Sequence, residues 1–100
     1  MPPPWYVYMV HCADGSLYTG IATDAVRRVE EHNDDDQLAA KYTRARRPVV
    51  LVYQEPCADR ADAARREHAI KRLPRHEKLA LIDPRRSTSP LPQGQGEGEL

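Results

Sequence analysis

Two cysteines are all that this chain of 100 residues contains, Cys12 and Cys57, each at the end of an expected strand. Zinc needs paired ligands at short spacing, and neither cysteine has one apart from the adjacent His11. Both are read as reduced, inert thiols. No apolar run reaches the roughly 18 residues of a membrane span. Nor does the N-terminus place a basic region before a long apolar stretch, as a secretory leader would. A cytoplasmic protein is the expectation. Internal repeats are absent, which excludes a solenoid. Net charge is also missing: 15 basic residues balance 15 acidic ones, so the whole molecule exerts no general pull on nucleic acid.

The charges are unevenly spread, however. Met1 to Asp36 holds two basic and seven acidic residues, whereas Lys41 to Lys78 holds eleven basic and five acidic. A neutral molecule patterned in this way can still offer a local face to phosphate. Asp83 to Leu100 is mostly Pro, Gly, Gln, Ser and charge, with Leu91 and Leu100 its large apolar residues. Such a segment buries too little apolar surface to offset its ordering entropy. The expected organisation is one domain over residues 1–82 and a disordered tail over 83–100.

Trp5 to His11 is aromatic and β-branched and reads as a strand, with Ser16 to Ile21 as its partner. Asp14-Gly15 marks a hairpin between them. A two-residue loop would send Tyr8 and Tyr18 to opposite faces. A three-residue loop, Ala13-Asp14-Gly15, pairs Cys12 with Ser16 and Tyr18 with Val10, and puts both phenols on one side. Gly15 suits the left-handed residue that closes such a loop, so the second register is expected.

Thr23-Asp24 offers a cap for a helix over about Ala25 to Asn33. Val26 and Val29 are expected to form much of its buried side. A polar, basic connection then runs to Arg47. Val49 to Tyr53 is continuously apolar and is expected to be a strand covered on both faces. Asp59 can cap a second helix from Arg60 to about Leu73, and Pro74 opens a third that ends near Ile82. The order β-β-α-β-α-α predicts a small α+β domain, a three-stranded sheet flanked by helices.

Some residues suggest chemistry. Arg28 and His32 lie four apart at the margin of the first helix's buried side. Arg28 suits bidentate phosphate contact, and His32 could bond a phosphate or a developing charge; a solvated face is the plainer alternative. Glu67 falls among Ala63, Ala64 and Ile70 on the apolar side of the second helix. A carboxylate there calls for a partner: Lys71, one turn on, or a hard cation such as magnesium. Tyr8 and Tyr18 are either core aromatics or part of a phosphate site.

Tyr6-Val7-Tyr8 and Tyr18-Thr19-Gly20 resemble the two signature tripeptides of the GIY-YIG nuclease superfamily. Arg28, His32 and Glu67 follow at matching spacing, and the likeness covers Trp5 to about Ile82. It is nearest to the small stand-alone bacterial branch, UPF0213. The resemblance implies an endonuclease that hydrolyses phosphodiester bonds, in DNA in the first instance and in repair or recombination, with one magnesium or manganese ion. In that scheme Tyr18 acts as base or orients the attacking water, and Tyr8 helps to place it. Arg28 stabilises phosphorane-like charge, and Glu67 holds the cation. Lys41, Arg44, Arg46 and Arg47 track the nucleic-acid backbone. Tyr42 stands where some branches have a further His and could share its role. The sequence departs from the signatures at Tyr6 and Thr19. A non-catalytic nucleic-acid-binding module and a protein-interaction domain are the competing readings.

Overall fold

The computed structural model of the protein describes residues 3–85. In chain order the elements are β1 (Trp5–Cys12), β2 (Leu17–Ala22), α1 (Ala25–Asp34), α2 (Lys41–Arg44), β3 (Val49–Cys57), α3 (Arg60–Lys71) and α4 (Arg75–Ile82). The three strands form one antiparallel sheet in the order β2-β1-β3. The expected α+β architecture is present, with one addition: α2 lies in the connection read from the sequence as irregular. It has four residues and no side-chain cap, too little for a period-3.6 pattern to register. Of the expected tail, residues 86–100 lie outside the described residues.

The hairpin adopts the three-residue register. Val10 pairs with Tyr18 and Tyr8 with Gly20. The Cys12 amide donates to the Ser16 carbonyl at 2.8 Å, and the Gly15 amide to the Cys12 carbonyl at 2.9 Å. Gly15 has φ of 88°, a left-handed conformation that favours a residue without Cβ.

β1, not β3, is the strand covered on both faces. Its even and odd positions feed two separate cores. Tyr8, Val10 and Cys12 pack with Ala25, Val29 and Val49 on the α1 side. Val7 and Met9 pack with Ile70 on the α3 side, together with Val52, Leu81 and Ile82. β3 is an edge strand, and Val50 on it is 58% exposed. Its apolar run misled because of a bulge: Met9 pairs with Tyr53 and Val10 with Leu51, leaving Val52 unpaired. Val52 and Tyr53 therefore turn to the same core, and the run records a change of face instead of double burial.

α1 also differs in orientation from the expectation. Asp24 caps it, its side chain accepting from the Arg27 amide. The buried row is Ala25, Val29 and His32, whereas Val26 is 56% exposed. These three lie at i, i+4 and i+7, one continuous stripe. Asn33, next on the helix, anchors its end to β3: Nδ2 donates to the Val49 carbonyl at 2.9 Å, and Oδ1 accepts from the Val49 amide at 2.8 Å.

Candidate active site

The Tyr8 ring points from the middle of β1 toward α1, directly across its strand partner Gly20. A Cβ at Gly20 would stand 2.6 Å from the Tyr8 hydroxyl oxygen. Only a residue without a side chain lets the ring lie where it does. Tyr18, two residues earlier on β2, comes from the same face and packs against the cluster that holds Tyr8.

His32 closes the group from α1. Its Nε2 is 2.7 Å from the Tyr8 hydroxyl, and its ring meets Tyr18 edge-on at a centroid separation of 5.5 Å. On the other side of the ring, Nδ1 lies 3.0 Å from the Thr43 hydroxyl and 3.3 Å from the Ala40 amide. His32 and Thr43 are completely buried. The expectation that His32 itself bonds a phosphate is therefore corrected: it stands behind Tyr8 and acts through it. Burial first, then the positive charge of Arg28, with Arg47 adding, pulls its pKa from 6.5 to about 4, against the opposing effect of Glu31. The ring is neutral at physiological pH.

Four of the predicted residues converge on the Tyr8 oxygen. Burial pushes the phenol well above its ordinary range; Tyr18 adds to this, Arg28 opposes it by its charge and its N–H groups, and the Glu67 carboxylate raises it further. Glu67 on α3 is thus close enough for its charge to be felt at Tyr8. It is three-quarters buried and pairs with Lys71 at 3.2 Å, so both partners suggested by the sequence remain available to it. Among the described residues no group of three His, Cys, Asp or Glu side chains is gathered. The donor set fits a magnesium-like ion held by one carboxylate and completed by water and phosphate oxygens. It does not fit zinc, which needs several protein ligands. Arg28 is at present engaged locally: Nη1 donates to Glu31 Oε1 at 2.9 Å and to the Leu38 carbonyl at 2.7 Å.

The basic segment divides into structural and exposed members. Arg47 is turned inward: Nε donates to the His32 carbonyl at 2.6 Å and Nη1 to Asp36 at 2.7 Å, while Nη2 is buried without an acceptor. Its expected role on a nucleic-acid backbone is corrected, because the guanidinium is committed to the last turn of α1, where a cation also suits the helix dipole. Arg46 donates to Asp14 at 3.0 Å and to the Tyr42 carbonyl, and its Cζ sits 3.8 Å from the Tyr42 ring centroid. Tyr42 in turn stacks on Tyr18 at 5.7 Å. Lys41, Tyr42, Arg44, Ala45 and Arg46 line an open groove of about 640 Å³. Lys41 and Arg44 are exposed there, although Arg44 also donates to the Asp36 carbonyl. Both cysteines are free, and burial raises both thiols, in keeping with inert side chains.

Thr43 and the Ala40 amide escaped the sequence reading. A lone threonine in a basic segment carries no signal until the chain folds it against His32.

A family model described as the GIY-YIG catalytic domain matches residues 4–80. A UPF0213 protein of Desulfotalea psychrophila is 55% identical over 80 residues, covering 80% of this chain and 72% of its own. One from Staphylococcus aureus strain Mu3 is 52% identical, covering 80% and 95% respectively. Among solved structures, a protein of E. faecalis is similar with a TM-score of 0.56 and 35% identity, over 89% of this chain and 93% of that one. The UPF0213 protein of Bacillus halodurans is similar with a TM-score of 0.50 and 38% identity, over 86% and 94%.

Proposed function

Because the chain belongs to the GIY-YIG catalytic-domain family, within the UPF0213 group, we propose that it hydrolyses phosphodiester bonds in DNA with one divalent cation, magnesium or manganese. DNA repair or recombination is the setting we propose for this activity. One observation carries the reading: two phenols, a guanidinium and a carboxylate share the surroundings of a single oxygen, that of Tyr8.

Glu67 would hold the cation, exchanging its pairing with Lys71 for the ion. When bound, the cation supplies positive charge against the phosphate and the departing oxygen. Tyr18 is the less enclosed of the two phenols, so it is the one that meets the attacking water, as base or as orienting group. Tyr8 fixes that position from behind. A phenol has a reference pKa near 10 and needs neighbouring positive charge to act as a base. Arg28 supplies such charge when it turns from Glu31 toward a phosphate. Preorganised charge of this kind is where most of the rate arises. Lys41, Arg44 and Arg46 flank the site and suit backbone phosphates.

The test is incubation of the purified protein with single-stranded, duplex and branched DNA, and with RNA, in magnesium or manganese. Metal-dependent cutting is expected in the wild type and its loss in Glu67→Ala and Arg28→Ala. Cutting that persists in both variants overturns the proposal. The burial of Tyr8 favours one second reading, a binding module that keeps the fold without catalysis. That reading predicts salt-sensitive binding and no cutting under any metal.

A further inference from the structure

The proton of the His32 ring can be placed by accounting for every donor around it. A backbone N–H can only donate, and the Ala40 amide is directed at Nδ1 at 3.3 Å. That contact requires a bare lone pair on Nδ1. The Thr43 hydroxyl has one proton to give, with Nδ1 at 3.0 Å and the Ala40 carbonyl at 2.8 Å as candidate acceptors. The carbonyl is already supplied: it accepts the amides of Thr43 at 3.0 Å and Arg44 at 3.1 Å, which fills both of its lone pairs. Were the hydroxyl proton turned to that carbonyl, an oxygen lone pair would face a bare nitrogen across 3.0 Å. The hydroxyl therefore donates to Nδ1, beside the amide. One proton remains on the neutral ring, and it belongs on Nε2, facing the Tyr8 oxygen at 2.7 Å. The opposite tautomer would set Nδ1–H head-on against the Ala40 N–H and deprive that amide of its acceptor.

We infer that Thr43 is a positioning residue: with the Ala40 amide it holds His32 in the Nε2–H form, so that the ring gives a hydrogen bond to Tyr8 instead of taking its proton. His32 is then a donor that steadies the Tyr8 oxygen whether or not that oxygen carries its own hydrogen. Any proton Tyr8 releases goes to a partner other than His32. The assignment of the tautomer stands on the hydrogen bonds alone, whereas its meaning for cleavage rests on the proposed nuclease reading.

Long-range proton–nitrogen spectra of the full ¹⁵N-labelled chain report each ring nitrogen separately. In the wild type His32 is expected to show a protonated Nε2 and a bare Nδ1. Thr43→Ser keeps the hydroxyl and should keep that pattern. Thr43→Val keeps the shape, removes the donor and should admit a measurable Nδ1–H population. In the same variants kcat is expected to fall roughly ten-fold for Val with KM unchanged, and to return with Ser, a loss typical of a residue that orients another. A wild-type ring protonated on Nδ1 overturns the inference. So does a Thr43→Val protein whose His32 spectrum matches the wild type. Absence of cutting in every form, with Nε2–H intact, would count against the nuclease reading and leave the tautomer assignment supported.

Discussion

Gly20 and Tyr8 face each other across the hairpin so closely that a methyl group on the first would collide with the hydroxyl of the second, at 2.6 Å. Tyr8 is buried and hydrogen-bonded, so its ring has nowhere easy to go. Gly20→Ala is expected to cost about 1–3 kcal/mol, the usual range for overpacking a filled core. Chemical denaturation would measure it. A Gly20→Ala protein as stable as the wild type, with an unperturbed Tyr8 signal, would contradict this packing.

The depressed pKa of His32 makes stability depend on pH in a definite direction. The folded ring titrates at about 4 and the ordinary value is 6.5. Between those values the unfolded chain binds the proton and the folded one does not. The contribution is therefore complete above about pH 6.5 and declines as pH falls toward 4. Its size is on the order of 3 kcal/mol. Denaturant midpoints measured from pH 7 to 4 should fall more steeply in the wild type than in His32→Gln. Parallel curves would refute the assignment.

Lys71 competes with a cation for Glu67. The pair is partly exposed and spans i,i+4 at 3.2 Å, so Lys71→Ala should change stability by no more than about 0.5 kcal/mol. The affinity of the protein for magnesium or manganese, read by titration calorimetry, should rise. Glu67→Gln should abolish that binding while the fold remains. Unchanged affinity in both variants would remove Glu67 as the ligand.

The arginines of the basic segment are expected to separate by assay. Lys41→Ala and Arg44→Ala should weaken DNA binding and each lower the salt slope by about 1. Arg47→Ala should chiefly destabilise the fold, because its guanidinium holds the His32 carbonyl and Asp36. If Arg47→Ala alters the salt slope with no loss of stability, its inward assignment is wrong.

The hairpin was legible in the sequence because its signals are local: Asp14-Gly15 sets the loop, and the loop sets the face on which both phenols emerge. The helix ends were legible from Asp24, Asp59 and Pro74 for the same reason. Burial was harder to read. Val26 looked like core and His32 like a margin, yet the stripe on α1 follows position and not polarity, since Thr43 and Ala40 satisfy the imidazole. β3 looked central because its bulge breaks the alternation by which an edge strand shows itself. The convergence of Glu67 with Tyr8 needed a tertiary contact that spacing along the chain does not encode. Arg47 looked like its basic neighbours until its partners were seen.

β1 sends alternate side chains to two cores, Val7 and Met9 to one and Tyr8 and Val10 to the other. Slippage of this strand by a single residue would exchange those sets, placing a phenol against α3 and a valine beside His32. Misfolding and inactivation are thus the same event at β1. Selection for a sound interior would therefore guard the phenol's aim as well.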